Sequence, residues 1–266
     1  MQFRKHDRRF NLVSRILAFL YGTVSYVIFF VTFLYAIGFV GNIIVPKAID
    51  TPPTAGTFWR GLLANVILMS IFALQHSVMA RPAFKKWWTK IVPRPIERST
   101  YVLFSSLALI LMYWQWRAMP EPVWTVTNPI GVYLLWLLFF FGWGLILLST
   151  FLINHFDLFG LRQVDAYRRG VEYKHLGFAT PLVYRIVRHP IMLGFIIAFW
   201  STPTMSVGHL LFAAVTTAYI LVAIQLEERD LVSYHGEAYE EYRREVSMLV
   251  PIPKRGSAAK TEEAVP

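Results

Sequence analysis

The chain has 266 residues, 56% of them hydrophobic and only 16% charged, against roughly 25% charged in a soluble domain. With a mean hydropathy of +0.46, that composition excludes both a disordered chain and a water-soluble globule, and the absence of cysteine excludes disulfides, cysteine-ligated metals and a cysteine nucleophile. The net charge of +10 points to nucleic acid or to a membrane surface, and its distribution along the chain decides for the membrane.

A hydrocarbon core of ~30 Å takes ~20 apolar residues per spanning helix. In chain order, residues 16–45 carry no charge, 57–79 carry only Arg60, and 100–116 and 129–154 carry none. Residues 190–200 and 207–225 are two further apolar stretches, split by Ser201-Thr202-Pro203-Thr204. The first stretch is too long for a cleaved signal peptide and has no small-residue cleavage site after it. The expected fold is therefore all-α: a polytopic transmembrane helical bundle of five to six helices, the last two forming a hairpin, followed by a C-terminal helix. It is expected to be one domain over 1–255, with 256–266, rich in Ala, Lys, Glu and Ser, as a disordered tail.

Basic residues set the expected orientation. Arg4, Lys5, Arg8 and Arg9 precede the first segment. Arg81, Lys85, Lys86, Lys90, Arg94 and Arg98 follow the second, and Arg162, Arg168, Arg169, Lys174, Arg185 and Arg188 follow the fourth. The intervening loops hold Lys47, Arg117 and no basic residue at all. Both termini are thus expected in the cytoplasm. The basic charge is a topological signal, and no nucleic-acid partner is expected.

Ionisable residues beside membrane segments mark candidate sites, and four clusters fall at the cytoplasmic ends. In Arg188-His189-Pro190 the proline fits a first helical position, so His189 sits at a helix N-terminus suited to an anionic ligand group. Glu227-Glu228 closes the last apolar helix, where acids oppose the dipole and need a cation. That cation is Arg188 or Arg229 in a structural reading, and a ligand in a functional one. His155 and Asp157 lie in an aromatic stretch where burial would make a base of the carboxylate. His76, in Gln75-His76-Ser77, stands at the end of the second segment. Four clusters at one face imply a single site open to the cytoplasm. There is no Walker A or GxGxxG motif.

Arg188-His189-Pro190-x-x-x-Gly194, followed by Glu227-Glu228 and Gly236-x-x-Tyr239-x-x-Tyr242, resembles the isoprenylcysteine carboxyl methyltransferase group of membrane enzymes. The runs 155–164 and 75–82 narrow the resemblance to the methanethiol S-methyltransferases. The resemblance implies S-adenosylmethionine as cofactor, methanethiol as substrate and dimethyl sulfide as product. It implies a multi-pass protein of a bacterial inner membrane. It places Gln163, Leu176, Gly177, Phe178, Ala179, Tyr184, His189, Pro190 and Glu227 at the cofactor, with Arg188 and Glu228 beside them. No metal is implied. Met192 stands where the group has a tyrosine. Ala223 stands where the carboxyl methyltransferases have a substrate-binding arginine, which favours a small uncharged thiol over a carboxylate. Thiolate is the reactive form of a thiol, so the site must either stabilise thiolate, as the adjacent sulfonium does in part, or supply a base, with Asp157, His155 and His76 as candidates in that order. Two other readings stay open: a methyltransferase for another thiol, selenol or carboxylate, and a haem protein ligated by His76 and His155.

Overall fold

The pattern of apolar runs closed by charges, Gly and Pro becomes a bundle of helices in a computed structural model that describes residues 5–52, 57–174 and 176–252. Residues 256–266, expected as a tail, lie outside the described residues. The long helices are α1 (Lys5–Gly41) and α2 (Phe58–Ala80). A short α3 (Pro82–Trp88) leads to α4 (Arg94–Gln115), and α5 is Pro129–Ile153. Two short helices follow, α6 (His155–Leu158) and α7 (Leu161–Arg169). The chain ends with α8 (Pro190–Trp200), α9 (Val207–His235) and α10 (Glu237–Glu245). Four helical stretches are long and apolar enough to cross a membrane: Leu12–Gly41, Phe58–Ala80, Pro129–Ile153 and Val207–His235. Helix α4 has 22 residues, a length of about 33 Å. It begins with Arg94, Glu97 and Arg98 before turning apolar.

Helix α8, at 11 residues, is about 16 Å long and covers only part of the bilayer. It pairs with α9 as the expected hairpin. A close approach to α5 holds it in place: a Cβ on Gly142 would lie 2.6 Å from the Gly194 carbonyl oxygen, and one on Gly194 would lie 2.7 Å from that of Gly142. Backbone left unpaired near lipid is costly. The break after α8 is closed by a two-stranded antiparallel ribbon of β1 (Pro122–Thr125) and β2 (Thr204–Ser206). The Val207 and Gly208 N–H groups donate to the carbonyls of Glu121 and Met119 at 2.9 Å each.

The core of the bundle is aromatic. Phe39, Tyr113, Trp116, Phe139, Trp143, Phe199 and Phe212 are buried together, and the Trp116 indole N–H donates to the Ile49 carbonyl at 3.0 Å. The outward faces carry exposed Leu63, Leu74, Leu134, Leu137, Phe140 and Phe141, the surface a lipid-embedded protein needs. Helix directions put the ribbon at one end of the bundle. The ends of α2, α5 and α9, with the loop before α8, gather at the other.

Candidate functional site

His189 occupies non-helical backbone (φ −122°, ψ 62°) and Pro190 opens α8, as a histidine before a proline should. The chain after α10 folds back onto this segment. The Arg188 N–H donates to the Ser247 carbonyl at 2.9 Å and the His189 N–H to that of Met248 at 3.2 Å. Arg188 aims its guanidinium at α9, with Nε 2.8 Å and Nη2 2.6 Å from Glu228 Oε1. Its Nη1 donates to the carbonyls of Arg243, at 3.1 Å, and Val246. His189 Nε2 lies 3.1 Å from the same Glu228 oxygen. All three side chains are buried, and Arg188 supplies the positive charge that a buried carboxylate requires. The acidic pair is therefore answered by Arg188. That same pairing commits Arg188 and Glu228, both expected at the cofactor, to one another.

Glu227 differs from its neighbour. Its side chain is 46% exposed, and Oε2 lies 3.8 Å from His189 Nδ1. A carboxylate only accepts, so the proton on His189 Nε2 points at Glu228, and Nδ1 faces Glu227. Tyr184 is buried on the 3-10 turn Leu182–Arg185. Its hydroxyl donates to the Ser149 carbonyl at 3.3 Å, and its carbonyl accepts from Tyr242 Oη at 2.5 Å. Leu176, Gly177, Phe178 and Ala179 are exposed, with the Phe178 ring 5.1 Å from that of His235 and 5.4 Å from that of Tyr242. Tyr239 is 2% exposed, and its hydroxyl has no partner among the described residues. Burial pushes Tyr239 up and takes Tyr242 to about 12, so both are neutral donors at pH 7. A cleft of about 620 Å³ lies against the Arg188–Glu228 pair, lined also by Gln225, Glu240, Arg243, Arg244 and Met248.

The second cluster is built by the turn between α5 and α7. Asn154 is left-handed (φ 94°), and its side chain accepts the Asp157 N–H at 3.2 Å. The Asp157 carboxylate accepts from Tyr173 Oη at 2.8 Å, Arg162 Nη1 at 3.2 Å and Gln163 Nε2 at 3.5 Å. Burial and the Asp157 charge push Tyr173 up to about 12. The buried Gln163 Oε1 has no partner among the described residues.

His155 is 3% exposed. Its Nδ1 is 2.9 Å from Thr150 Oγ1 and its Nε2 2.9 Å from Tyr26 Oη, and burial holds it below the usual histidine range. His76 meets Tyr101 and Ser105 of α4. Sequence reasoning missed Tyr101, Ser105 and the strand-like segment 246–248. Ser99, Thr100, Ser105 and Ser106 within an apolar run were the available signal for α4. For 246–248 no local signal exists, because its role is to pair with residues some 60 positions away.

The profile of the NnrU protein family matches residues 64–227. A methanethiol S-methyltransferase of Mycobacterium tuberculosis is 56% identical over 91% of this chain and 99% of its own length. One of Crocosphaera subtropica is 55% identical over 91% and 94%. Nurim of Rattus norvegicus is 30% identical over 65% of this chain and 70% of its own. No solved structure matches.

Proposed function

From the premise that this chain belongs to the NnrU family and to the methanethiol S-methyltransferases, we propose that it methylates methanethiol to dimethyl sulfide with S-adenosylmethionine as donor. The observation that carries this reading is Glu227, a half-exposed carboxylate beside His189 at the opening of α8. When bound, the cofactor's sulfonium supplies a methyl group open to in-line displacement by sulfur.

The donor set fits such a zwitterion. Glu227 accepts from ribose hydroxyls or the amino group, and the free N–H groups of Ile191 and Met192 at the start of α8 suit a carboxylate. The unpartnered Tyr239 hydroxyl and Gln163 Oε1 are polar atoms awaiting a partner. Arg188 and Glu228 fix His189 and thereby shape the site. Phe178, in the 176–179 loop, covers it and limits water, and Tyr184 anchors the loop's far side on α5. Asp157, His155 and His76 are the candidates for taking the thiol proton. A haem bound by His76 and His155 is disfavoured, because both ring nitrogens of each already face protein hydroxyls. The basic loops favour an orientation with both termini in the cytoplasm, and a bacterial inner membrane is the membrane this reading implies.

The test is headspace gas chromatography of detergent-purified protein given S-adenosylmethionine and methanethiol, with cofactor binding followed by calorimetry. Dimethyl sulfide appears only with both substrates. Glu227→Ala weakens cofactor binding roughly 10- to 100-fold, the worth of hydrogen bonds to a charged group. Cofactor binding without dimethyl sulfide sends the search to other acceptors, and no cofactor binding overturns the reading.

A further inference from the structure

We propose that the cleft of about 620 Å³ between the end of α9 and α10 binds the phosphate of an anionic phospholipid, taken from the leaflet at that end of the bundle. The proposal is independent of the methyl-transfer reading and is tested by binding alone.

The walls of the cleft set the chemistry. Three arginines and two glutamates line it, with Gln225 and Met248. Such walls do not suit a small apolar thiol, whose pocket is mostly apolar, and they leave one positive charge in excess. The arginines are not equivalent. Arg188 is spent, with Nε and Nη2 on Glu228 and Nη1 on the carbonyls of Arg243 and Val246. It thereby fixes the end of α10, the turn that carries Arg243 and Arg244. The Arg243 side chain is 51% exposed, and its Nε lies 3.6 Å from Glu228 Oε2, beyond hydrogen-bond distance. Arg244 is exposed and forms no ion pair among the described residues. Two adjacent guanidinium groups on a fixed turn match the oxygens of a phosphate.

The depth of the cleft points to lipid. Gln225 closes the uncharged run 207–225. It lies about 27 Å along α9 from Val207, against a hydrocarbon core of ~30 Å, so the cleft stands at the level of the headgroups. Leu221, one turn back on the same face of α9 as Gln225, is exposed, as is Val222. Val250 and Ile252, just beyond Met248, are 61% and 65% exposed. Acyl chains thus find apolar surface beside the cleft, which a free anion would not use. Glu240 narrows the ligand further. Its carboxylate on the wall repels a doubly charged phosphate more than a singly charged phosphodiester, and it accepts from a headgroup hydroxyl such as those of phosphatidylglycerol. The proposed cofactor residues lie apart, because Glu227, Tyr239 and the 176–179 loop do not line this cleft.

The test is native mass spectrometry of the full chain in a non-ionic detergent, titrated with phosphatidylglycerol or with phosphatidylcholine of the same acyl chains. One phosphatidylglycerol is expected to be retained per chain. Phosphatidylcholine, whose ammonium offsets its phosphate, is held roughly fivefold more weakly, the worth of one charge at a membrane surface. Arg243→Gln combined with Arg244→Gln lowers the affinity for phosphatidylglycerol roughly 25-fold, one such factor for each cation. Should that variant fail to fold, Gln225→Glu decides. It is nearly isosteric at an exposed position, and its new charge on the wall weakens binding by about the same single factor. Lys86→Gln combined with Lys90→Gln removes two exposed cations at the same end of the bundle and leaves the affinity unchanged.

Equal retention of the two lipids overturns the proposal, as does unchanged affinity in Gln225→Glu. An equal loss in the lysine variant also overturns it, because general surface charge then explains the binding. Inorganic phosphate that raises the melting temperature as much as phosphatidylglycerol does, with both effects lost in the arginine variant, assigns the cleft to a free anion and overturns the lipid. Saturating S-adenosylmethionine that displaces phosphatidylglycerol assigns the cleft to the cofactor, which overturns the proposal and leaves the methyl-transfer reading intact.

Discussion

At the scale of single residues, the best-defined interaction is Glu228 between Arg188 and His189. The pair is buried, so removing one partner leaves a charge with no solvent. Arg188→Met is expected to cost about 3–5 kcal/mol, read as a fall in melting temperature in detergent. The double variant Arg188→Met with Glu228→Leu recovers part of that loss, because no orphaned charge remains. Loss equal in the single and the double would deny the pairing its role. His155 gives a pH prediction. Burial holds its folded pKa below the unfolded value of about 6.5, so the unfolded chain binds the extra proton first. Stability is then complete above about pH 6.5 and declines as pH falls below it. Thermal melts of wild type and His155→Gln between pH 5 and 8, on the order of what detergent allows, should show a shallower acid decline in the variant.

Among the elements, α8 depends most on a neighbour. It is too short to span on its own and is placed by the glycine contact with α5. Gly194→Val forces the helices apart at a backbone carbonyl 2.7 Å from the new Cβ, at a cost of about 1–3 kcal/mol. It also shifts Pro190 and His189, so cofactor binding falls with stability. Gly144, two residues from the contact on α5, would meet nothing within 4 Å. Gly144→Ala is neutral or gains up to about 1 kcal/mol of helix propensity. Equal losses at Gly194 and Gly144 in a thermal melt would refute the contact as the cause. The helices of this region were legible as elements: the proline start, the Ser-Thr-Pro break and the apolar runs are all local signals. The partner of each face was not, because α5 carries apolar residues all round and its periodicity selects no side.

For the molecule as a whole, the ribbon of β1 and β2 closes one end of the bundle, and the Arg188, Asp157 and His76 clusters gather toward the other. The chain contains no cysteine, which makes single-cysteine labelling clean. Cysteine placed at Lys174 is expected to react with an impermeant maleimide only from the cytoplasmic side, and cysteine at Thr202 only from the opposite side. The reverse pattern would invert the orientation that the basic loops imply.

Composition and charge alone determined a helical membrane protein, the number and order of its apolar segments, and the four clusters at one face, because hydrocarbon thickness and loop charge act on stretches of contiguous sequence. The motifs around Arg188-His189-Pro190 and Glu227-Glu228 gave the family resemblance. Only the tertiary structure decided which acid is paired and which faces outward, since Glu227 and Glu228 are adjacent and chemically identical. Only it joined Tyr101 and Ser105 to His76, and the chain after α10 to the start of α8. Those are contacts between residues distant in sequence, and their energies depend on burial and on which donors are already spent, neither of which a linear sequence specifies.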